Sequence, residues 1–243
     1  MHDLTQRQIE ILKTLIEEYI ETAGPVGSET LEKKHSLSAS PATIRNEMVR
    51  LTELGYLKKT HISSGRVPTS TALKFYVKQL MKEKELSVAE EVAVKEKVWD
   101  LRDKERDFLK EVTRTLADKT KTMAIACTGE GEIFFAGYAN ILEMPEFYDI
   151  DLTRNLLSAI DETSGFKNIF EGAIDDDDIH VLMEEELGPN LSGPLGLVFT
   201  RFQTPAQGKG EIGVLGPVRL NYNYIVPTVR YFGNLIGEIA RGW

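Results

Sequence analysis

The residues best suited to chemistry lie close together in the first third of the chain: Ser40, Thr43, Arg45, Asn46, Val49 and Arg50. An asparagine amide can bond adenine bidentately, an arginine can reach guanine or a phosphate, and a valine can touch a thymine methyl. At about 100° per residue, Ile44, Met48 and Leu51 fall at i, i+4 and i+7 on one helical face. The opposite face carries Ala42, Asn46, Val49 and Glu53, flanked by Thr43, Arg45 and Arg50. An ordinary amphipathic surface helix explains the arginines, but less well an outward-facing Val49. A second group follows in "HISSGRVPTS", His61 to Ser70. There Gly65 suits a tight turn, and Ser63 and Ser64 keep the tip small and offer hydroxyls to phosphate oxygens. Arg66 can enter a minor groove or clamp a backbone, and Lys58, Lys59 and His61 line the approach. Ser28 and Thr30, at the head of a preceding short helix, complete the candidate nucleic-acid set.

The elements around these residues are legible. Thr5 can cap a first helix reaching Thr22, with Ile9, Leu12, Ile16, Tyr19 and Ile20 at helical spacing. "AGPVG" stops it, and Ser28 caps a short helix to His35. After the turn "SLSAS", Ser40 caps a third helix with Pro41 at its first position, ending at Gly55. "YLKKTHI" and "VP" are the two strands of a hairpin, and Pro68 cuts the second short. Thr69 or Ser70 caps a fourth helix reaching Lys84. Helix, helix, turn, helix and hairpin make a winged helix-turn-helix, with the third helix as reader.

Charge agrees with that placement. The chain of 243 residues has a formal net charge of -9, yet from Lys33 to Lys82 there are ten basic residues against Glu47 and Glu53. From Leu86 onward the balance is 16 basic against 27 acidic. A basic island in an acidic chain points to a polyanion-binding module joined to something else. The single cysteine, Cys127, excludes an intramolecular disulfide, and no Cys/His spacing suits zinc. No apolar stretch is long enough for a membrane span and the N-terminus lacks a signal core, so the expected location is cytoplasmic.

Three domains are expected: a winged helix over residues 1–85, a long charged linking and dimerisation helix over 86–121, and an α+β regulatory domain over 122–243. In the middle segment Val94, Val98, Leu101, Phe108 and Val112 alternate four and three apart, with Glu105 interrupting the seam. That helix either self-associates along the seam or lies on its own domain. Beyond it, "MAIACT", "EIFFAGYA", "IHVLME", "LGLVFTRFQ" and "GEIGVL" read as strands of a mostly antiparallel sheet. Asp151 to Glu162 is a helix with Leu152, Leu156, Leu157 and Ile160 on one face, Phe166 to Ala173 is a shorter one, and Tyr222 to Arg241 closes the fold.

Other signals are weaker. "GKGEIG" spells a dinucleotide fingerprint, but "VLGP" follows it where a helix must open, so a hairpin turn is expected. Asp175 to Asp178 read as solvated acids rather than a metal site, His180 as a partly exposed structural residue, and Cys127 as a packed thiol. No nucleophile motif and no catalytic carboxylate pair is found. The expectation is a protein that is not an enzyme and needs neither cofactor nor metal.

"LTQRQIEILKTLIEEYIETAGPVGSETL", "SPATIRNEMVRLTELGYL" and "HISSGRVPTSTALKFYV" together resemble the N-terminal region of the HrcA family of heat-inducible transcription repressors. "FFAGYANILEMPEF" and "GEIGVLGPVRLNYNYIV" are similar to two C-terminal stretches of the same family. The resemblance implies a homodimer on an inverted-repeat operator in double-stranded DNA, ahead of chaperone genes, released on heat shock. It also implies assistance from the GroE chaperonin and a GAF-like second domain. This chain departs from the pattern by passing almost directly from its charged helix to "EIFFAGYANIL", where the family carries an inserted segment. The second domain is therefore expected to be a truncated GAF-like one. Val218, Leu220 and Asn221 also stand where threonine, methionine and aspartate are expected. Two rival readings are a metabolite-sensing winged-helix regulator and a winged-helix adaptor that binds another protein.

Overall fold

The computed structural model describes residues 4–35, 37, 39–60, 65–173, 177–191, 193–204 and 208–241. The chain forms two compact units, Met1–Lys82 and Glu83–Trp243.

Unit 1 begins with α1, Gln6–Thr22. Thr5 and Gln8 cap its N-terminus reciprocally, Gln8 N–H to Thr5 Oγ1 at 3.3 Å and Thr5 N–H to Gln8 Oε1 at 3.0 Å. Its core face is Ile11, Leu12, Leu15 and Ile16, all buried, whereas Ile9, Tyr19 and Ile20 are only half-buried. Two short helices follow, α2 at Ser28–His35 and α3 at Pro41–Glu53. The hairpin pairs β1, Leu57–Lys59, with β2, Arg66–Pro68, antiparallel, Lys59 opposite Arg66. Val26 joins it through two backbone hydrogen bonds to Arg66, N–H to O at 2.9 Å in both directions. The wing is thus rooted in the segment between α1 and α2.

Gly65 has no left-handed backbone; a Cβ there would meet Pro25 backbone and side chain at 3.0 Å. Close approach to that root, rather than the turn expected from sequence, explains the glycine. α4, Ser70–Phe75, is capped by Thr69 and stops well short of Lys84. It widens into a π-helical turn, Tyr76–Leu80, and the chain is extended from Met81. Residues 82–85 are exposed and charged, so they offer no buried face to hold a longer helix.

Glu18 is buried in unit 1 and binds α2 to α1. Its Oε2 lies 2.9 Å from His35 Nε2 and 2.9 Å from Lys34 Nζ. Burial pushes its pKa up, but the bonds from His35 and Lys34 outweigh that and hold the carboxyl below its usual range. A lowered folded pKa gives stability that is present above the unfolded value and is lost as pH falls through the folded one. Urea unfolding followed through unit 1 should therefore show a midpoint that falls on acidification from pH 6 to pH 3. The fall should be smaller in Glu18→Gln.

Unit 2 opens with α5, Val88–Trp99, and α6, Glu105–Thr120. This corrects the single helix expected over 86–121. Glu90 Oε1 and Lys119 Nζ are 2.8 Å apart, whereas on one straight helix they would be separated by ~43 Å. The break has no glycine or proline. Backbone bonds from Leu101 to Val98 O and from Lys104 to Leu101 O close the turn, and the Arg102 side chain donates to Trp99 O at 2.9 Å and lies 4.9 Å over the Trp99 ring. The proposed seam is used inside the unit: Val94, Val98, Phe108 and Val112 are all buried. The bond from Lys119, with those from the backbone and side chain of Ser87, draws the Glu90 pKa down to about 2.

The sheet is five-stranded and wholly antiparallel, with β3 Met123–Cys127, β4 Ile133–Ala136, β5 His180–Met183, β6 Leu195–Thr204 and β7 Gly208–Pro217. Its order is β4-β3-β7-β6-β5, and the short helix α7, Tyr138–Leu142, follows β4. α6 and the closing helix α10, Tyr222–Ala240, pack on one face. Met123, Ile125, Leu197 and Phe199 point to the other, joined there by Leu156, Phe166 and Phe170. The first of these belongs to α8, Ile150–Asp161, and the others to α9, Ser164–Gly172. Cover on both faces explains why β3 and β6 read as continuous apolar runs. Leu157 of α8, expected on the core face, is exposed.

"GKGEIG" lies inside β7 rather than in a turn. A Cβ at Gly210 or Gly213 would meet Cys127 O or Val198 O of the neighbouring strands at 2.5 and 2.4 Å. These glycines admit adjacent backbone rather than a nucleotide. Cys127 is a packed thiol, pushed up to about 11 by burial.

Candidate nucleic-acid interface

α3 is held from behind by Ile44, Met48 and Leu51, all buried in unit 1. Its N-terminus is fixed by Ser40, whose Oγ accepts the Thr43 N–H at 3.2 Å. That fixing leaves Arg45, Asn46, Val49 and Arg50 exposed along the opposite face. Val49 is 41% exposed on that face. Lys58 and Lys59 are exposed on β1, and Thr30 is exposed on α2. Thr43 is half-buried beside its cap.

Two expected contacts change. Ser28 is buried at the head of α2, so its hydroxyl is not presented to a phosphate, and that reading is corrected. Arg66 lies half-buried at the base of the return strand. Its Nε donates to Thr52 Oγ1 at 3.2 Å and its Nη1 to Gly65 O at 3.3 Å. Thr52 donates in turn to Met48 O at 2.7 Å. The arginine therefore couples the wing to α3. His61, Ser63 and Ser64, at the wing tip, lie outside the described residues.

The structure also reveals positioning residues that local sequence did not mark. Gln8, buried on α1, donates from Nε2 to Glu47 Oε2 at 3.0 Å. The other oxygen of Glu47 is 4.0 Å from Arg50 Nη1. The capping residue of the first helix thus steadies an acid beside the exposed face of α3. The only sequence hint is Glu47 itself, an acid placed among arginines.

In unit 2, residues of the two C-terminal stretches clamp the fold. Arg219 grips Glu146 with two bonds, Nε to Oε1 at 2.6 Å and Nη2 to Oε2 at 3.0 Å. Asn140 donates to Ala117 O and Thr122 O at 3.2 and 2.9 Å. Gly137 has φ 82°, and a Cβ there would meet Thr122 O at 2.4 Å. His180, expected to be partly exposed, is buried and stacked 4.7 Å from Phe199. Among the described residues no group of three His, Cys, Asp or Glu side chains is placed to hold a metal ion, and no helix is long and apolar enough to cross a membrane.

The fold of unit 1, with its outward third helix, is that of the winged-helix class of DNA-binding domains. Residues 3–82 match the profile described as "Winged helix-turn-helix transcription repressor, HrcA DNA-binding". Residues 43–226 match the "HrcA protein C terminal domain". The chain belongs to the HrcA family, which is a family of transcription repressors and not of enzymes. A solved structure described only as a hypothetical protein superposes with TM-score 0.77 at 16% identity, over 99% of this chain and 99% of that one, and shares the fold. An IclR family transcriptional regulator from Brucella abortus aligns over 97% of this chain and 92% of its own at 14% identity, with TM-score 0.30. That likeness is too loose to support an argument.

Proposed function

We propose that the protein represses chaperone genes by binding, as a homodimer, to an inverted-repeat operator, and that it acts in the cytoplasm. The observation that carries this is the exposed row Arg45, Asn46, Val49 and Arg50 on a helix whose other face is locked in the core. Two such helices, one from each protomer, would enter successive major grooves. Lys58 and Lys59, with His61, Ser63 and Ser64 at the tip, would hold the flanking backbone, and Thr30, Ser40 and Thr43 would meet phosphates near the start of α3. Arg66 would act through the wing it fastens. Occupancy of the promoter then excludes RNA polymerase.

Release on heat stress follows if the protein is only marginally stable. A loss of ~1–2 kcal/mol on warming changes the folded ratio by roughly 5–30-fold. Assistance from the GroE chaperonin in refolding would restore repression.

Footprinting on the promoters of the host's own chaperone genes, at growth and heat-shock temperatures, tests the proposal. Protection of an inverted repeat that disappears on heating is expected. No protection at any chaperone promoter removes the assignment. A finer prediction concerns the wing. Lys58→Ala and Lys59→Ala should each reduce the slope of log affinity against log salt by about one. They should weaken binding to all sequences alike, as read by fluorescence anisotropy on operator and scrambled duplexes.

A further inference from the structure

Unit 2 contains a half-open cavity of about 530 Å3, within the roughly 300–1,000 Å3 of small-molecule sites. Phe166, Ile169, Leu182, Leu187 and Leu191 form its apolar wall. Phe166, Leu187 and Leu191 are buried members of the unit's core, so the wall is preformed. Glu186, Asn168 and Asn190 stand at its exposed rim. The Glu186 carboxylate accepts the Met183 N–H at 3.0 Å, which fixes it at the mouth.

Two further observations bear on an occupant. Gly165 and Gly172 lie seven residues apart on α9, and both line the cavity. A Cβ at either would meet nothing within 4 Å, and neither has a left-handed backbone. Glycine is less favourable than alanine in a helix, and neither neighbours nor dihedrals require it here. Both leave open space on the side of α9 that lines the cavity. The second observation is charge. Residues 161–190 contain ten Asp and Glu against one lysine. Of these acids Glu186 lines the cavity, and none of the described lining residues is a lysine or arginine, which favours a cation over an anion. Arg201, half-buried, is engaged by Phe170 O, Ala173 O and His180 and does not line the cavity.

We propose that this cavity binds a small organic cation, an amine with an aromatic or branched apolar body. The body lies against Phe166 and the leucines, and the ammonium meets the Glu186 carboxylate and the amide oxygens of Asn168 and Asn190. The site is independent of the DNA-reading face and stands whether or not the operator assignment does.

Calorimetric titration of the full chain with 2-phenylethylammonium, 2-phenylethanol and phenylacetate tests it. The ammonium should saturate one site and bind at least tenfold tighter than either counterpart. Glu186→Gln retains an acceptor for Met183 but lacks the charge. It should weaken ammonium binding by about fivefold and leave the melting temperature unchanged. Gly172→Phe should fill the cavity and abolish binding; if it does not fold, Glu186→Gln alone decides. No saturable binding, equal affinity for the three probes, or undiminished ammonium affinity in Glu186→Gln each overturn the proposal.

Discussion

Asn46→Ala is expected to weaken operator binding by roughly 30-fold to 10^4-fold. Each bidentate contact to adenine contributes about 1–3 kcal/mol of discrimination, and a dimer makes it twice. The side chain is exposed on the face of α3 opposite Ile44, Met48 and Leu51, so its removal opens no cavity. The melting temperature should therefore stay within a degree or two. The amide neutralises no phosphate, so binding to scrambled DNA and the salt slope should be unchanged. Anisotropy titrations on operator and scrambled duplexes separate these quantities. Equal losses on both would show that Asn46 supports the helix and reads no base.

The second large effect concerns stability. Arg219→Ala should cost unit 2 about 2–3 kcal/mol, because it strands the Glu146 carboxylate that the guanidinium holds with two bonds. Both side chains are only 15–16% exposed, so water recovers little of the loss. The two residues lie 73 positions apart, one before α8 and one before α10, and their contact links the two C-terminal stretches that resemble the family. Urea titration should show a lower midpoint with an unchanged slope. The double replacement Glu146→Leu with Arg219→Met should cost less than the sum of the singles. A loss below about 0.5 kcal/mol in Arg219→Ala would place the pair with ordinary surface ion pairs.

Much of unit 1 was legible because its signals are local. Thr5, Ser40 and Thr69 stand where caps are needed, Pro41 suits a first helical turn, and the apolar spacing of α3 dictates which side chains face outward. What was hidden depends on partners distant in sequence. Gln8 meets Glu47 across 39 positions, and Val26 pairs with Arg66 across the unit. Neither leaves a periodic trace. Ser28 looked like an available hydroxyl because burial of a small polar residue is set by packing alone. The apolar seam of residues 94–112 was visible, but its use was not. A seam of that spacing serves equally for a second chain or for the protein's own core, and Val94, Val98, Phe108 and Val112 are buried within unit 2. Gly210 and Gly213 were ambiguous for a related reason: glycine marks close approach without saying what approaches.

The Arg66–Thr52 bond has a consequence for how operators can vary. Because Arg66 of the arm bonds the Thr52 hydroxyl of α3, the contacts proposed for the two elements are expected to be coupled. A half-site with altered bases under the helix would then also shift the grip on its flank, so changes at the two places should compound rather than simply add.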